Sequence, residues 1–263
     1  MAKGPLLASV LLFGLLPASL VPAADPPPSA RIALIIDDLG NNRLMDERVV
    51  RLPGAVACAI LPHTPHATRI AHEAHRLGKE VLLHLPMESL NAQAPGPGAL
   101  DTSMFEQELV KMLDYNLANV PHVVGVNNHM GSSFMADAAR IALLMREIHQ
   151  RGSLFFIDSR THATSVAIDA ARAIGVPALS RDIFLDHEIT PAAIDRQMRA
   201  LIKLAHSRGY AVGIGHPHSL TLAALERWLP LLDQHGVQLI SLSSMLDTFP
   251  IKEASPWPVS LSP

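Results

Sequence analysis

Short apolar runs alternate with longer segments of helical spacing from residue 31 onward, and this alternation constrains the fold more than any other feature. The apolar runs lie at Ile32–Ile36, Ala55–Leu61, Glu80–Leu85, His122–Val126, Leu154–Ile157, Ala178–Leu185, Tyr210–Ile214 and Val237–Leu242. Strand–helix alternation with short connections indicates a parallel sheet. Seven or eight such units favour a distorted TIM-like (β/α)7-8 barrel that forms a single α/β domain.

The N-terminal residues 1–24 have the pattern of a secretory signal peptide. Lys3 supplies a positive charge, Leu6 to Leu16 form an apolar core, and small residues around Ala23 offer a cleavage site. The apolar stretch is short for a membrane span, so we expect no stable span after cleavage, with an uncleaved anchor as the alternative. This pattern predicts a periplasmic or secreted protein.

The rest of the chain divides into three segments. Residues 25–30 form a Pro-rich linker, residues 31–249 form the barrel domain, and residues 250–263 form a Pro- and Ser-rich tail. The formal net charge is -3 and no block of Lys or Arg occurs, so we expect no nucleic-acid partner. The single cysteine, Cys58, excludes an intramolecular disulfide.

Polar residues with acid–base or metal-binding chemistry follow nearly every predicted strand. Functional sites of parallel α/β folds form at these carboxyl ends. The residues are Asp37, Asp38, His63, His84, Glu88, Asn127, Asn128, His129, Ser132, Asp158, Arg160, Arg181, Asp182, Asp186, His216 and His218. Crowding such groups at one rim costs desolvation unless a cation offsets their charge. The pattern therefore favours a metal-assisted hydrolytic site.

Each of these residues also has a purely structural interpretation. The Asp37–Asp38 pair and Asp158 could cap the helices that follow them, and His84 could be a core histidine bonded to a backbone carbonyl. His129 could likewise have only a structural role. The histidines on predicted helices are best explained as solvated surface residues.

Five motifs, taken in order, resemble those of the divergent polysaccharide deacetylase family, over roughly residues 31–248. They are Asp37-Asp38-Leu39-Gly40, His84-Leu85-Pro86-Met87-Glu88, Asn127-Asn128-His129-Met130-Gly131-Ser132, Asp158-Ser159-Arg160-Thr161 and His216-Pro217-His218. The family in turn is similar to the carbohydrate esterases of the chitin and peptidoglycan deacetylase type. That resemblance implies a distorted (β/α) barrel and a divalent metal cofactor, usually Zn²⁺.

The resemblance also implies a role for each candidate residue. Asp37 would be the catalytic base and His216 the general acid, with Asp158 or Asp182 orienting His216. The metal ligands would be Asp38, His84 and His129. Further groups at or next to the metal would be Glu88, His218 and Asp158. The substrate-binding residues would be Asn128, Ser132 and Arg160.

The function implied is that of an exported metal-dependent hydrolase that removes acetyl groups from an acetylated (N-acetyl) glycan or cell-envelope polysaccharide. Glu88 stands where the larger group has a second histidine, and the Arg-Pro-Tyr motif of that group is missing. These departures keep open an alternative, a catalytically inactive barrel that binds a glycan or envelope partner. A metal phosphoesterase is a third, less favoured interpretation, because we expect one Arg and no Lys at the mouth.

Overall fold

The computed structural model describes Met1, Gly4 and residues 30–90 and 93–249. The predicted signal peptide, linker and C-terminal tail lie almost wholly outside these residues, so their assignment stays a prediction. The strands are β1 (Ala30–Leu39), β2 (Val56–Ile60), β3 (Val81–Met87), β4 (Val123–Met130), β5 (Phe155–Asp158), β6 (Ala178–Ser180), β7 (Ile183–Phe184), β8 (Tyr210–Gly215) and β9 (Val237–Leu239). The α-helices are α1 (Arg43–Val50), α2 (Ala67–Arg76), α3 (Glu106–Asn119), α4 (Ala138–Gln150), α5 (Ala167–Ile174), α6 (Pro191–Arg208), α7 (Ser219–Trp228) and α8 (Leu242–Thr248).

The strands form one curled parallel sheet, which confirms the predicted distorted barrel. Its order is β6-β5-β4-β3-β2-β1-β8-β7, with β9 paired to the start of β1. The two outermost strands, β6 and β7, are neighbours in the chain and are separated only by Arg181 and Asp182. The covalent chain therefore closes the barrel between β6 and β7, because these two strands are not hydrogen-bonded to each other.

The predicted strand Ala178–Leu185 is wrong in one respect, because the structure divides it into β6 and β7. The Arg181 N–H donates to the carbonyl of Asp158 on β5, whereas the next N–H, that of Asp182, donates to Val212 on β8. The backbone thus changes partner strand within two residues. This change cannot be read from the continuous apolar pattern of the segment.

Alternate residues of β1 face two different cores. Ile32, Leu34 and Ile36 pack among the buried residues beneath the helices, whereas Ala33 and Ile35 belong to a smaller cluster inside the barrel. This period of two is what an extended strand with both faces buried produces.

Helix α8 contributes to the interior core of the barrel. Leu242, Met245 and Leu246 of this helix join the inward-facing cluster. The carboxylate of Glu80, just before β3, accepts hydrogen bonds from the backbone N–H groups of Leu242 and Ser243. Because Glu80 precedes its strand, α8 lies at the end of the barrel opposite the strand exits, and this leaves the exits free for a site.

None of the helices within the described residues combines the length and the apolar character that crossing a membrane requires.

We predict that Met245→Ala lowers the free energy of unfolding by about 2–5 kcal/mol, because the side chain is fully buried among the residues that fill the barrel. Denaturant titration measures this change. Asp247→Ala, an exposed position on the same helix, is the matched control and should change the value by less than about 0.5 kcal/mol. Equal effects of the two substitutions would contradict the assignment of α8 to the barrel core.

Candidate metal centre and active site

The inward faces of β1, β3 and β8 each lead to a polar residue placed two positions after an inward apolar one. The pairs, in chain order, are Ile35 and Asp37, Leu82 and His84, and Ile214 and His216. Asn127 of β4 stands opposite His84 in the β3–β4 register. Strand periodicity therefore directs these side chains toward the barrel axis at one rim.

Asp38 reaches the same rim through a break in that periodicity. The β1–β2 register shifts between Ile36 and Leu39, and Asp38 adopts a φ of 60°, in the left-handed region. A residue other than glycine pays strain for this conformation, and such outliers concentrate at functional sites. Met130 and Arg160, also at strand exits, share this conformation.

Asp38, His84 and His129 bring one ligand atom each to a common point. The Oδ1 atom of Asp38 lies 3.1 Å from Nε2 of His84 and 2.9 Å from Nδ1 of His129, and the two nitrogens are 3.1 Å apart. Tetrahedral zinc with bonds of about 2.0–2.1 Å separates neighbouring ligand atoms by about 3.3 Å. The group therefore has the donor types and nearly the spacing of a three-ligand metal site.

A buried amide fixes the orientation of His84. Asn127, fully buried, donates from Nδ2 to Oδ1 of Asp37 at 2.8 Å, so its Oδ1 atom is the acceptor that faces His84. The Nδ1 atom of His84 lies 3.0 Å from that oxygen and must carry the proton. Burial, the largest influence, lowers the pKa of His84, but the charges of Asp37 and Asp38 outweigh it and raise that pKa, so Nε2 also carries a proton, which it donates to Asp38. Loss of that proton exposes the Nε2 lone pair, and this neutral form of the imidazole is the one that binds a metal.

The two adjacent carboxyl groups have opposite electrostatics. Burial is the largest influence on the Asp37 carboxyl and raises its pKa, against the lowering effect of His84 and His216. Burial also acts to raise the pKa of Asp38, but hydrogen bonds with His129 and His84 outweigh it and hold that pKa well below its usual range. Asp37 thus has the stronger tendency to hold a proton, and Asp38 remains a carboxylate.

His216 forms a dyad with Asp186. Its Nδ1 atom lies 2.9 Å from Oδ1 of Asp186, and Oδ2 of Asp186 accepts from the His216 backbone N–H and from Thr221. The prediction that Asp158 or Asp182 orients His216 was wrong. Asp158 accepts from the Arg160 N–H, and Asp182 bonds Arg208 and the N–H of Val212.

His218 is not a member of the group formed by Asp38, His84 and His129. With Asp186 and His216 it forms a second set of donors that could hold a metal ion. The Asp186 carboxylate in that set already accepts three hydrogen bonds. Those bonds occupy most of its lone pairs, so the Asp38 group is the better candidate.

The structure does not bring Glu88 to the metal group. Its Oε2 atom accepts from the backbone N–H of Thr102 and, at 2.5 Å, from the Thr102 hydroxyl, so the carboxylate fixes the insertion between β3 and α3, residues 88–105. Ser132 bonds the same insertion, through Oγ of Ser89 and the N–H of Leu90. The expectation that Glu88 completes the ligand set therefore fails, because its carboxylate serves the loop.

Asn128 points away from its neighbour Asn127. Its Oδ1 atom accepts from the Ser159 N–H, and its Nδ2 group donates to the Met130 carbonyl and to Oγ1 of Thr161. These bonds join the exits of β4 and β5, and the side chain is almost fully buried, so the geometry does not present Asn128 to a substrate.

Three residues of this rim carried no assigned role in the sequence analysis: Asn127, Arg181 and Asp186. Asn127 belongs to a recognised motif, but only the β3–β4 register reveals that it faces His84. Arg181 and Asp186 stand in the segment whose strand divides. The expected single arginine at the mouth is therefore wrong, because Arg181 accompanies Arg160 there.

A parallel α/β barrel with Asp and His donors gathered at its strand exits defines the class of protein. The model of the divergent polysaccharide deacetylase family matches residues 34–246. The chain belongs to the divergent polysaccharide deacetylase family.

The chain is also similar to a curated relative and to solved structures. The chain is 33% identical over 252 residues to the uncharacterized protein YibQ of Escherichia coli (strain K12), covering 96% of this chain and 77% of that protein. An uncharacterized protein of Agrobacterium tumefaciens C58 has a crystal structure with a TM-score of 0.79 at 27% identity, covering 82% of this chain and 89% of that one. A CE4 family pseudoenzyme from Bacillus anthracis has the same fold, with a TM-score of 0.52 at 14% identity, covering 84% of this chain and 67% of that one.

We predict that Asp38→Ala and His84→Ala each weaken zinc binding by at least about 100-fold, because each removes one of three converging ligand atoms. Isothermal titration with Zn²⁺ measures this change. Glu88→Gln is the control and should bind zinc as the wild type does, since its carboxylate bonds Thr102. Undiminished zinc affinity in Asp38→Ala would contradict the site.

We also predict that Asn127→Ala weakens zinc binding by about 10–100-fold, because it removes the acceptor that orients His84. The matched control is Asn128→Ala, the equally buried neighbour. It should lower the free energy of unfolding but leave the zinc affinity of the folded protein close to that of the wild type. If both variants lost zinc affinity equally, Asn127 would have no specific part in orienting the ligand.

Proposed function

We propose that this protein is an exported, metal-dependent hydrolase that removes acetyl groups from an N-acetylated glycan, such as a cell-envelope polysaccharide. The observation that carries the proposal is the convergence of Asp38, His84 and His129 beside a separate buried carboxylate, Asp37. Membership of the polysaccharide deacetylase family supports a glycan substrate. Export rests on the signal pattern of residues 1–24.

Asp38, His84 and His129 would hold the cation, and their one oxygen and two nitrogens suit Zn²⁺. When bound, such a cation lowers the pKa of a water molecule and polarises the acetyl carbonyl. Three protein ligands leave a position open for water or substrate, as catalytic zinc sites require.

Asp37 is placed to act as the general base. Its side chain is almost fully buried, and Oδ1 is held by Asn127. The other oxygen, Oδ2, lies 3.7 Å from Nε2 of His84, beside the proposed ligand atoms. It can accept the proton of the attacking water, and burial raises the pKa of this carboxyl, which makes it a better proton acceptor.

His216 is placed to act as the general acid. Its Nδ1 atom is bonded to Asp186, so Nε2 is the atom that can deliver a proton. In the reaction, water oxygen bonds to the acetyl carbon, the carbon–nitrogen bond breaks, and the sugar amine leaves with a proton from His216. The products are acetate and a free amine.

We predict that Asp37→Asn and His216→Ala each lower acetate release from acetylated chito-oligosaccharides by about 10²–10⁴-fold, because each removes one proton-transfer group. Both variants should keep bound zinc, since neither side chain is among the three ligands. His206→Ala, which removes a histidine on helix α6, is the control and should retain wild-type turnover.

Two results would contradict this proposal. Full turnover by Asp37→Asn would exclude Asp37 as the base. Wild-type protein that binds zinc and the oligosaccharide but releases no acetate would instead favour the inactive glycan-binding barrel.

We predict that kcat/KM declines as the pH rises through about 9. Burial, the largest influence, lowers the pKa of His216, but the hydrogen bond and charge of Asp186 raise it to about 9. A general acid works in its protonated form, so activity is present below this pKa and is lost above it. Asp186→Asn should move this decline to lower pH. A pH–rate profile identical to that of the wild type would show that Asp186 does not determine the pKa of the general acid.

A further inference from the structure

Two arginines lie at the same rim as the proposed catalytic groups. Arg181 directly follows β6, and Arg160 stands two residues after the end of β5. Within the described part of the chain, neither guanidinium forms an ion pair with a carboxylate. Both positive charges are therefore available at the mouth.

Arg181 is held in place without being neutralised. Its Nε atom donates to the carbonyl of Ser159 at 2.7 Å, and one terminal nitrogen donates to the carbonyl of Arg160 at 3.0 Å. Its guanidinium carbon lies 3.6 Å from the ring centre of Phe184. Carbonyl oxygens and an aromatic face fix the orientation of the guanidinium, and leave its charge and its remaining N–H groups for a ligand.

The same contacts connect Arg181 to both proposed proton-transfer residues. The ring of Phe184, on which Arg181 stacks, lies 5.7 Å from the ring of His216, centre to centre. On the other side, Oγ of Ser159 lies 3.3 Å from Nδ2 of Asn127, the group that donates to Asp37. Arg181 is thus connected to His216 through one residue, Phe184, and to Asp37 through two, Ser159 and Asn127.

Arg160 adds an exposed charge beside Arg181. Its backbone has a φ of 49°, and its N–H donates to Oδ1 of Asp158 at 2.7 Å, which holds this strained turn. Burial, the largest influence, and the like charge of Arg160 lower the pKa of Arg181, whereas the carboxylates of Asp158, Asp37 and Asp182 act in the opposite direction. An anion between the two guanidinium groups would relieve this repulsion.

We propose that Arg181 and Arg160 form an anion subsite that binds a carboxylate carried by the glycan beside the acetylated amine. The inference rests on the proposed function and narrows its substrate to acidic N-acetylated glycans. Neither guanidinium is held in an ion pair within the described residues, so both can bind an added carboxylate. A guanidinium binds a carboxylate through paired hydrogen bonds, which gives both affinity and orientation.

Binding measurements on the zinc-loaded protein test the subsite without requiring turnover. The probes are two N-acetylglucosamine tetrasaccharides that carry a 3-O-lactyl ether on alternate sugars, one with the lactyl carboxylate free and the other with it converted to the carboxamide. The two probes differ only in the charge of their two lactyl groups. The Asp37→Asn background prevents hydrolysis, and isothermal titration gives the affinity ratio of acid to amide.

We expect the acid to bind about tenfold more tightly than the amide, and Arg181→Gln to abolish most of this preference. Arg160→Gln should reduce it partly, and Arg181→Lys, which keeps the charge without the planar fork, should restore part of it. Arg199→Gln removes one positive charge on helix α6, where Arg199 lies over Trp228, and should leave the ratio unchanged.

Equal binding of acid and amide by the Asp37→Asn protein would overturn the subsite. So would a preference that persists in both Arg160→Gln and Arg181→Gln. If Arg181→Gln fails to fold, an undiminished preference for the acid in Arg160→Gln would by itself overturn the subsite. The Arg160 side chain is exposed and bonds no other side chain, so this variant should fold. Absence of acetate release from any glycan would contradict the proposed function instead, and the binding ratio would still report on the arginines.

Discussion

One carboxylate oxygen and two imidazole nitrogens lie within 3.1 Å of one another at the strand exits, and the proposed chemistry depends on holding them there. Without a shared positive charge, such a group would cost both desolvation and repulsion. The fold supplies the rigidity: β1, β3 and β4 are adjacent or near-adjacent strands of one sheet, and their hydrogen bonding fixes Asp38, His84 and His129 relative to one another.

Asn127 links the metal group to the proposed base. One side-chain amide accepts from His84 and donates to Asp37, so the ligand and the base keep a fixed relation. The Arg-Pro-Tyr motif of the larger deacetylase group is absent from this chain, and the amide offers a neutral means of holding Asp37. Glu88 has a structural role and is not a metal ligand, because its carboxylate fixes the loop after β3 through Thr102. The departures from the larger group therefore leave a complete set of three donors.

The sequence alone predicts most of the fold and part of the site. Strand–helix alternation predicts the barrel, and the position of His84 or His216 just after an apolar run predicts the rim, because strand periodicity is a local property. Asp186 could not be chosen over Asp182 in the same way, because the backbone changes its partner strand between β6 and β7. Asp38 likewise reaches its neighbours through a register shift that no apolar pattern encodes.

A crystal structure of the protein grown with Zn²⁺, with anomalous data collected at the zinc edge, tests the central claim most directly. We predict one strong peak about 2.0–2.2 Å from Oδ1 of Asp38, Nε2 of His84 and Nδ1 of His129. A peak seated instead on Asp186, His216 and His218, or no ordered zinc at the rim, would contradict it.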